Sequence, residues 1–123
     1  GAALDVEVGG LPEVGIEVVA QREDGSVRIT VDAAAGRLRV VATDREAGGA
    51  PGRISDAPLT IGPDDRLRVV LDLASVEVFL GPAAISQLLP LRDEPWSVSV
   101  AGPSSSGAVS LGSVGVFPLA QGN

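Results

Sequence analysis

The sequence lacks five residue types, and these absences exclude several kinds of chemistry. It contains no cysteine, histidine, methionine, tyrosine or lysine. Without cysteine there is no disulfide framework, no thiol nucleophile and no thiolate metal site. Without histidine the chain has neither the most frequent general base nor the usual zinc ligand. The hydroxyls of residues 104–106 therefore have no imidazole to activate them, which excludes nucleophilic catalysis by these serines.

Basic residues and long apolar runs are also scarce. Nine basic residues against 16 acidic ones give a formal net charge of −7 and an isoelectric point of about 4.4. Nucleic acid is not expected as a partner, because binding to phosphates needs a basic surface. A membrane is not expected either, since no stretch reaches the roughly 18 apolar residues of a spanning helix. No signal peptide is recognisable.

The length of 123 residues fits a single domain, residues 1–123, that is large enough to bury its own core. No composition shift suggests a boundary inside it. Because the chain begins with Gly1 and not with methionine, we expect it to be a piece of a larger protein.

Apolar residues alternate with polar ones over much of the chain, which is typical of strands with one buried side. The alternating segments are residues 4–8, 16–18, 27–31, 37–40, 66–71 and 96–100. Turn-forming glycine, proline, aspartate and serine lie between them, and the chain has 16 glycines and nine prolines. The pattern predicts an all-β protein, folded as an antiparallel two-sheet β-sandwich.

Two segments do not follow this alternation. Residues 83–91 follow Pro82, have Pro90 near their end and carry Ile85, Leu88 and Leu89 at helical spacing, but we prefer a strand there. Residues 46–58 include Gly48-Gly49-Ala50-Pro51-Gly52, and we expect them to form a mobile loop.

The few aromatic residues have different predicted environments. Trp96 shares a strand face with Val98 and Val100, so we place all three in the core. Phe79 shares the opposite face of its strand with Glu77, and we expect it to meet a loop or a neighbouring domain. The alternative is a single exposed phenylalanine.

The 16 carboxylates do not form a recognisable site. Glycoside hydrolysis needs two of them about 5 to 10 Å apart across the sugar, and no local pair stands out. Asp64 and Asp65 are adjacent and lack the spaced ligands of a calcium loop. We therefore assign no catalytic residue, no metal site and no cofactor.

Residues 67–79, which read LRVVLDLASVEVF, resemble a signature of the C-terminal β-sandwich of glycoside hydrolase family 32. That family includes invertases, levanases and inulinases. Asp72 and the run from Ser75 to Phe79 match, whereas Leu73 replaces the usual arginine and Ala74 the first serine. Upstream, Asp44-Arg45 is similar to the family's Asp-Arg segment. Residues 96–98 and 111–119 resemble its last strands, so the resemblance covers nearly the whole chain.

The resemblance implies a sandwich of the concanavalin A-like, jelly-roll type that packs on an N-terminal five-bladed catalytic propeller. In some relatives it also contributes to homo-oligomer contacts. The family's catalytic motifs lie in the propeller and are absent here, so the parent enzyme, and not this chain, is expected to act on sucrose or fructans. The alternative is an autonomous carbohydrate-binding module of the lectin kind. Any targeting signal would lie upstream, so the location stays open, with secretion favoured over the cytoplasm.

Five residues at positions that match the family's motifs suggest a polar network tying two strands together: Asp44, Arg45, Asp72, Ser75 and Glu77. A partly buried carboxylate needs an arginine or backbone N–H groups as partners. Because Leu73 replaces the usual arginine, Arg45 becomes the favoured cation of this network.

Overall fold

The computed structural model describes residues 3–9, 15–23, 25–44, 51–62, 64–89, 94–102 and 113–118. In these ranges the chain is all-β, as predicted, and no described helix has the length and apolarity to cross a membrane. The strands are β1 (Leu4–Gly9), β2 (Ile16–Arg22), β3 (Gly25–Asp32), β4 (Arg37–Asp44), β5 (Pro51–Pro58), β6 (Leu67–Leu71), β7 (Ser75–Leu80), β8 (Ala83–Leu88), β9 (Ser97–Ala101) and β10 (Ser113–Pro118).

These strands form two five-stranded sheets. One has the order β10-β1-β6-β7-β8 and the other β5-β4-β3-β2-β9. Every pair of neighbours is antiparallel. The prediction of an antiparallel two-sheet β-sandwich is confirmed.

The core lies between the sheets and consists almost entirely of aliphatic side chains. Alternate residues of each central strand point inward, and branched side chains suit the pleated surface. Fully burying one such side chain contributes about 1.5 to 3 kcal/mol. The largest fully buried residues are Ile16, Ile29, Leu38, Leu67, Leu71 and Leu80, with valines 6, 8, 18, 27, 31 and 40.

The structure settles the two segments that lacked clear alternation. Residues 83–88 form β8, so the preference for a strand is confirmed. The prediction of a mobile loop over residues 46–58 is wrong for residues 51–58, which form β5 and pair with β4. The alternation was missed because Ser55 and Ala57, the residues paired with inward-facing Val40 and Leu38, are small. Residues 46–50 lie outside the described part of the chain.

A buried glutamine connects the two sheets along one side of the sandwich. Gln87 of β8 is 2% exposed and occupies an inward-facing position. Its Nε2 donates to the carbonyl of Val40 at 3.0 Å and to Oγ of Ser55 at 2.8 Å. Each neutral hydrogen bond contributes about 1 kcal/mol, and together they fix β8 relative to β4 and β5.

Gly15, which precedes β2, allows the chain to pass close to β3. Its φ is +91°, and a Cβ built there would lie 1.9 Å from the carbonyl oxygen of Val31. We expect Gly15→Ala to lower the free energy of unfolding by about 3 kcal/mol or more, because the backbone must move. Urea denaturation measures this loss.

Gly36→Ala is the matched control for this substitution. Gly36 also has a positive φ, of +64°, but its added Cβ would lie 3.3 Å from the carbonyl oxygen of Leu59. The expected loss is about 1 to 2 kcal/mol, chiefly the cost of the left-handed conformation, because the carbonyl of Leu59 needs to move by only a few tenths of an ångström. Equal losses at the two glycines would contradict the close approach at Gly15.

Candidate functional site

The residues of the signature form a hairpin, in which β6 and β7 are joined by residues 72–74. The turn closes through a hydrogen bond from the N–H of Asp72 to the carbonyl of Ser75, at 2.9 Å. Oδ1 of Asp72 accepts the N–H of Leu73 at 2.7 Å. The aspartate therefore shapes the turn through its own backbone, which is a frequent role for this residue type.

An arginine from the opposite sheet holds this turn in place. Arg22, the last residue of β2, donates from Nη1 to the carbonyl of Leu73 at 2.8 Å. Its guanidinium carbon lies 4.5 Å from the ring centroid of Trp96, which is 8% exposed and belongs to the core. We call Arg22, Leu73 and Trp96 the Arg22 clamp. It joins the signature hairpin, the end of β2 and the segment that enters β9.

The strength of the clamp comes from two favourable terms. A hydrogen bond from a charged donor contributes about 1.5 to 3 kcal/mol. A cation above an indole ring contributes about 0.5 to 2 kcal/mol, depending on how far it is desolvated. The next carbonyl of the turn, that of Ala74, accepts the N–H of Leu89 at 2.7 Å. Both turn carbonyls are therefore bonded to distant parts of the chain.

The structure places Asp44 at the same end of the sandwich as the signature turn. Asp44 ends β4 and pairs with Gly25 of β3, which in turn pairs with Arg22. Two strand spacings, about 10 Å, separate the backbones of Asp44 and Arg22. The side chain of Asp44 and the whole of Arg45 lie outside the described residues, so the contribution of Arg45 to a polar network stays a prediction.

The other residues singled out in the sequence lie on two different surfaces. Glu77 and Phe79 are exposed on the outer face of β7, the strand that begins at Ser75, whereas Asp72 lies in the turn before it. Phe79 is 39% exposed and stands between Arg68 of β6 and Ala84 of β8. Separately, the side chains of residues 98 and 100 are partly buried and pack against the core near Trp96.

Several described carboxylates are held in structural interactions. Asp5 accepts hydrogen bonds at both oxygens from Arg68, at 2.8 to 3.1 Å. Asp65 accepts the N–H of Gly62 at 2.7 Å and so caps the turn before β6. Among the described residues, no three acidic side chains are arranged to hold a metal ion.

Asp56 on the outer face of β5 is held by two arginines. Arg37 donates to Oδ1 at 2.7 Å, and Arg39 donates to Oδ2 at 3.2 and 3.3 Å. Desolvation alone would raise the pKa of Asp56, but the hydrogen bonds and charges of both arginines outweigh it and lower the pKa. Asp56 therefore joins β5 to β4 in its ionised form.

Comparison with known proteins gives a family and a fold. A family model described as "Glycosyl hydrolases family 32 C terminal" matches residues 2–89, which include the signature hairpin and Arg22. A search of curated proteins finds no match.

Among solved structures, the fold is similar to galectins, at sequence identities that indicate a shared fold alone. Galectin LEC-6 of Caenorhabditis elegans matches with a TM-score of 0.55 and 13% identity, over 81% of this chain and 76% of that one. Sheep galectin-11, solved in complex with glycerol, matches with a TM-score of 0.53 and 14% identity, over 95% of this chain and 91% of that one. CG-16, a homodimeric agglutinin from chicken liver, matches with a TM-score of 0.53 and 15% identity, over 93% of this chain and 89% of that one.

We expect Arg22→Ala to lower the free energy of unfolding by about 2 to 3 kcal/mol, because it removes the bond to Leu73 and the stacking on Trp96. Arg28→Ala is the matched control. Arg28 is 60% exposed and forms only a surface ion pair with Glu17, at 3.3 Å, so its loss should cost less than about 1 kcal/mol. Urea denaturation of both variants tests the difference, and equal losses would contradict the clamp.

We expect Asp56→Asn to reduce stability at neutral pH but not in strong acid. The ionised carboxylate of Asp56 stabilises the fold above about pH 4, the usual value for aspartate, and this contribution disappears as pH falls through the lower folded pKa. Thermal unfolding from pH 7 to pH 2 should show the two proteins converging at low pH. Asp64→Asn, at an exposed turn position, is the control. If the difference in thermal stability between the unsubstituted chain and Asp56→Asn stayed the same from pH 7 to pH 2, the stabilising role of the Asp56 charge would be contradicted.

Proposed function

Because the chain belongs to the C-terminal domain family of glycosyl hydrolases family 32, we propose that it supports the catalytic domain of a larger hydrolase. In this proposal the chain itself carries no catalysis. The parent enzyme cleaves sucrose or fructans with residues of an N-terminal propeller. The sandwich provides a rigid body on which that propeller packs.

The observation that carries the proposal is the position of the Arg22 clamp at one end of the sandwich. β1 begins at Leu4, which pairs with Leu71, the last residue before the signature turn. A domain joined on the N-terminal side of β1 would therefore enter at the end where the clamp lies. Rigid support is most valuable there, because any movement of the turn would be transmitted to the attached domain.

The described interior and carboxylates also favour a supporting role. Retaining glycosidases hold two carboxyl groups about 5 to 5.5 Å apart around the bond they cleave. In this chain Asp5 and Asp56 are instead bound to arginines, and Asp65 and Asp72 accept turn N–H groups. The space between the sheets is filled by aliphatic side chains.

The second candidate is an autonomous carbohydrate-binding module, which the fold shared with a chicken agglutinin favours. Sugar-binding modules commonly stack sugar rings on exposed aromatic faces. Among the aromatic side chains whose burial the structure describes, Trp96 is 8% exposed with its ring against Arg22, which leaves the partly exposed Phe79 as the one that could stack on a sugar. The supporting role is therefore the better explanation.

The supporting role is tested in the full-length parent enzyme. Arg22→Ala in this domain should lower the temperature at which hydrolase activity is lost, whereas Arg28→Ala should leave it nearly unchanged. Activity measured well below that temperature should be equal in both variants, because neither residue touches substrate in this proposal. An inactivation temperature that ignores Arg22→Ala, although the isolated chain is destabilised, would contradict the supporting role.

Isothermal titration of the isolated chain with levan, inulin and sucrose separates the two candidates. The supporting role predicts no binding at millimolar sugar. Saturable binding with a dissociation constant below about 1 mM, worth about 4 kcal/mol, would establish the autonomous module instead.

A further inference from the structure

Among the described strands, β8 lies at the edge of its sheet, and it lacks the residues that usually prevent such an edge from pairing with another chain. An edge presents unpaired N–H and C=O groups to other chains, and charges or prolines commonly block it. β8 reads AAISQL and has no charged residue and no proline. By contrast β5, the nearest edge of the other sheet, carries Arg53 and Asp56 and has a proline at each end.

The register determines which residues of β8 offer free backbone groups. Leu89 donates its N–H to the carbonyl of Ala74, which continues the pairing of β7 with β8 by one residue. Residues in an antiparallel pair alternate between bonding the neighbour and facing away. The backbone groups of residues 85, 87 and 89 are therefore directed at β7, and those of Ala84, Ser86 and Leu88 are directed outward.

We propose that β8 pairs with β8 of a second copy of this chain, antiparallel about a twofold axis through Ser86. In this register Ser86 faces Ser86 of the second copy, and Ala84 faces Leu88. All three outward-directed residues then exchange backbone hydrogen bonds, and inward-facing side chains remain opposite inward-facing ones. The sheet that contains β8 in one copy then joins the same sheet of the second copy to form one continuous sheet.

This register also covers exposed apolar side chains. Among the described large hydrophobic residues, Leu88 is 76% exposed and Phe79 is 39% exposed, both on the outer face of this sheet. Leu88 of the second copy lies opposite Ala84, whose other neighbour is Phe79. Because Ala84 is small, the leucine and the phenylalanine can close over it. The second copy thus supplies the neighbouring domain that the sequence suggested for Phe79.

Charge favours this edge as the meeting point of two acidic chains. Each chain has a formal net charge of −7, but β8 itself is neutral. The nearest acidic side chain on the same face is Glu77, opposite Ser86. In the pair, the two copies of Glu77 are three strand spacings apart, about 14 Å, which exceeds the screening length of about 8 Å at physiological salt.

Analytical ultracentrifugation of the 123-residue chain, from micromolar to millimolar concentration, tests the pairing. We expect a reversible monomer–dimer equilibrium. Ser86→Pro removes an N–H directed away from β7, and Leu88→Glu adds a charge at an exposed position, so neither should disturb the monomer. Each should weaken dimerisation at least tenfold. Ile54→Glu is the matched control, because Ile54 is 57% exposed on the other sheet and should leave dimerisation unchanged.

A cysteine at the twofold axis tests the register directly, since the chain has no cysteine of its own. Hydrogen-bonded antiparallel pairs have Cα atoms about 5.5 Å apart, within the range that a disulfide spans. Oxidised Ser86→Cys should give a covalent dimer, whereas Ser99→Cys, exposed on the edge strand β9, should not.

A chain that stays monomeric at millimolar concentration would overturn the proposal, as would a dimer that Ser86→Pro and Leu88→Glu leave intact. Either result would leave the supporting role in the parent enzyme untouched, because that role depends on the end of the sandwich and not on β8.

Discussion

The fold depends on the mutual burial of two apolar sheet faces, each of which would be exposed to water alone. This attraction is non-directional and scales with the area removed from water. It holds the sheets together without fixing how they are placed relative to one another. Directional bonds between the sheets supply that placement: Gln87 binds Val40 and Ser55 along one side, and Arg22 binds Leu73 at one end. Both contacts join residues that are far apart in sequence.

Hydrophobic side chains fill the space between the two sheets. Other molecules must therefore bind at the surface of the sandwich: its ends, its edges or its outer faces. The outer faces carry charged side chains, some of which pair with one another, as Arg68 with Asp5 and Arg39 with Asp56 show. Surface pairs of this kind contribute little to stability individually. They do keep the described outer faces polar, which makes the apolar region around Leu88 stand out.

The sequence predicts the central strands well because their alternation directly reflects which side is buried. It fails at β5, where the inward positions hold Ser55 and Ala57, and where pairing with β4 rather than the strand's own pattern decides the structure. It also fails to find Arg22. The resemblance directed attention to Arg45 and Asp72, whereas Arg22 lies 51 residues from the carbonyl it binds, and no local pattern marks it. The clamp exists only once two sheets have packed.

The end and the edge of the sandwich differ in the kind of recognition they allow. At the end, Arg22 bonds a carbonyl of one specific turn and stacks on one specific ring, so its geometry is set within the chain before any partner arrives. At the edge, β8 offers backbone groups that any extended strand of the right register could bond. Side chains must therefore supply the selectivity, and in the proposed register a second β8 brings Leu88 opposite Ala84 without introducing a charge. A long-range repulsion between acidic chains then acts against random contacts, while the neutral β8 adds no charge of its own to that repulsion where two copies meet.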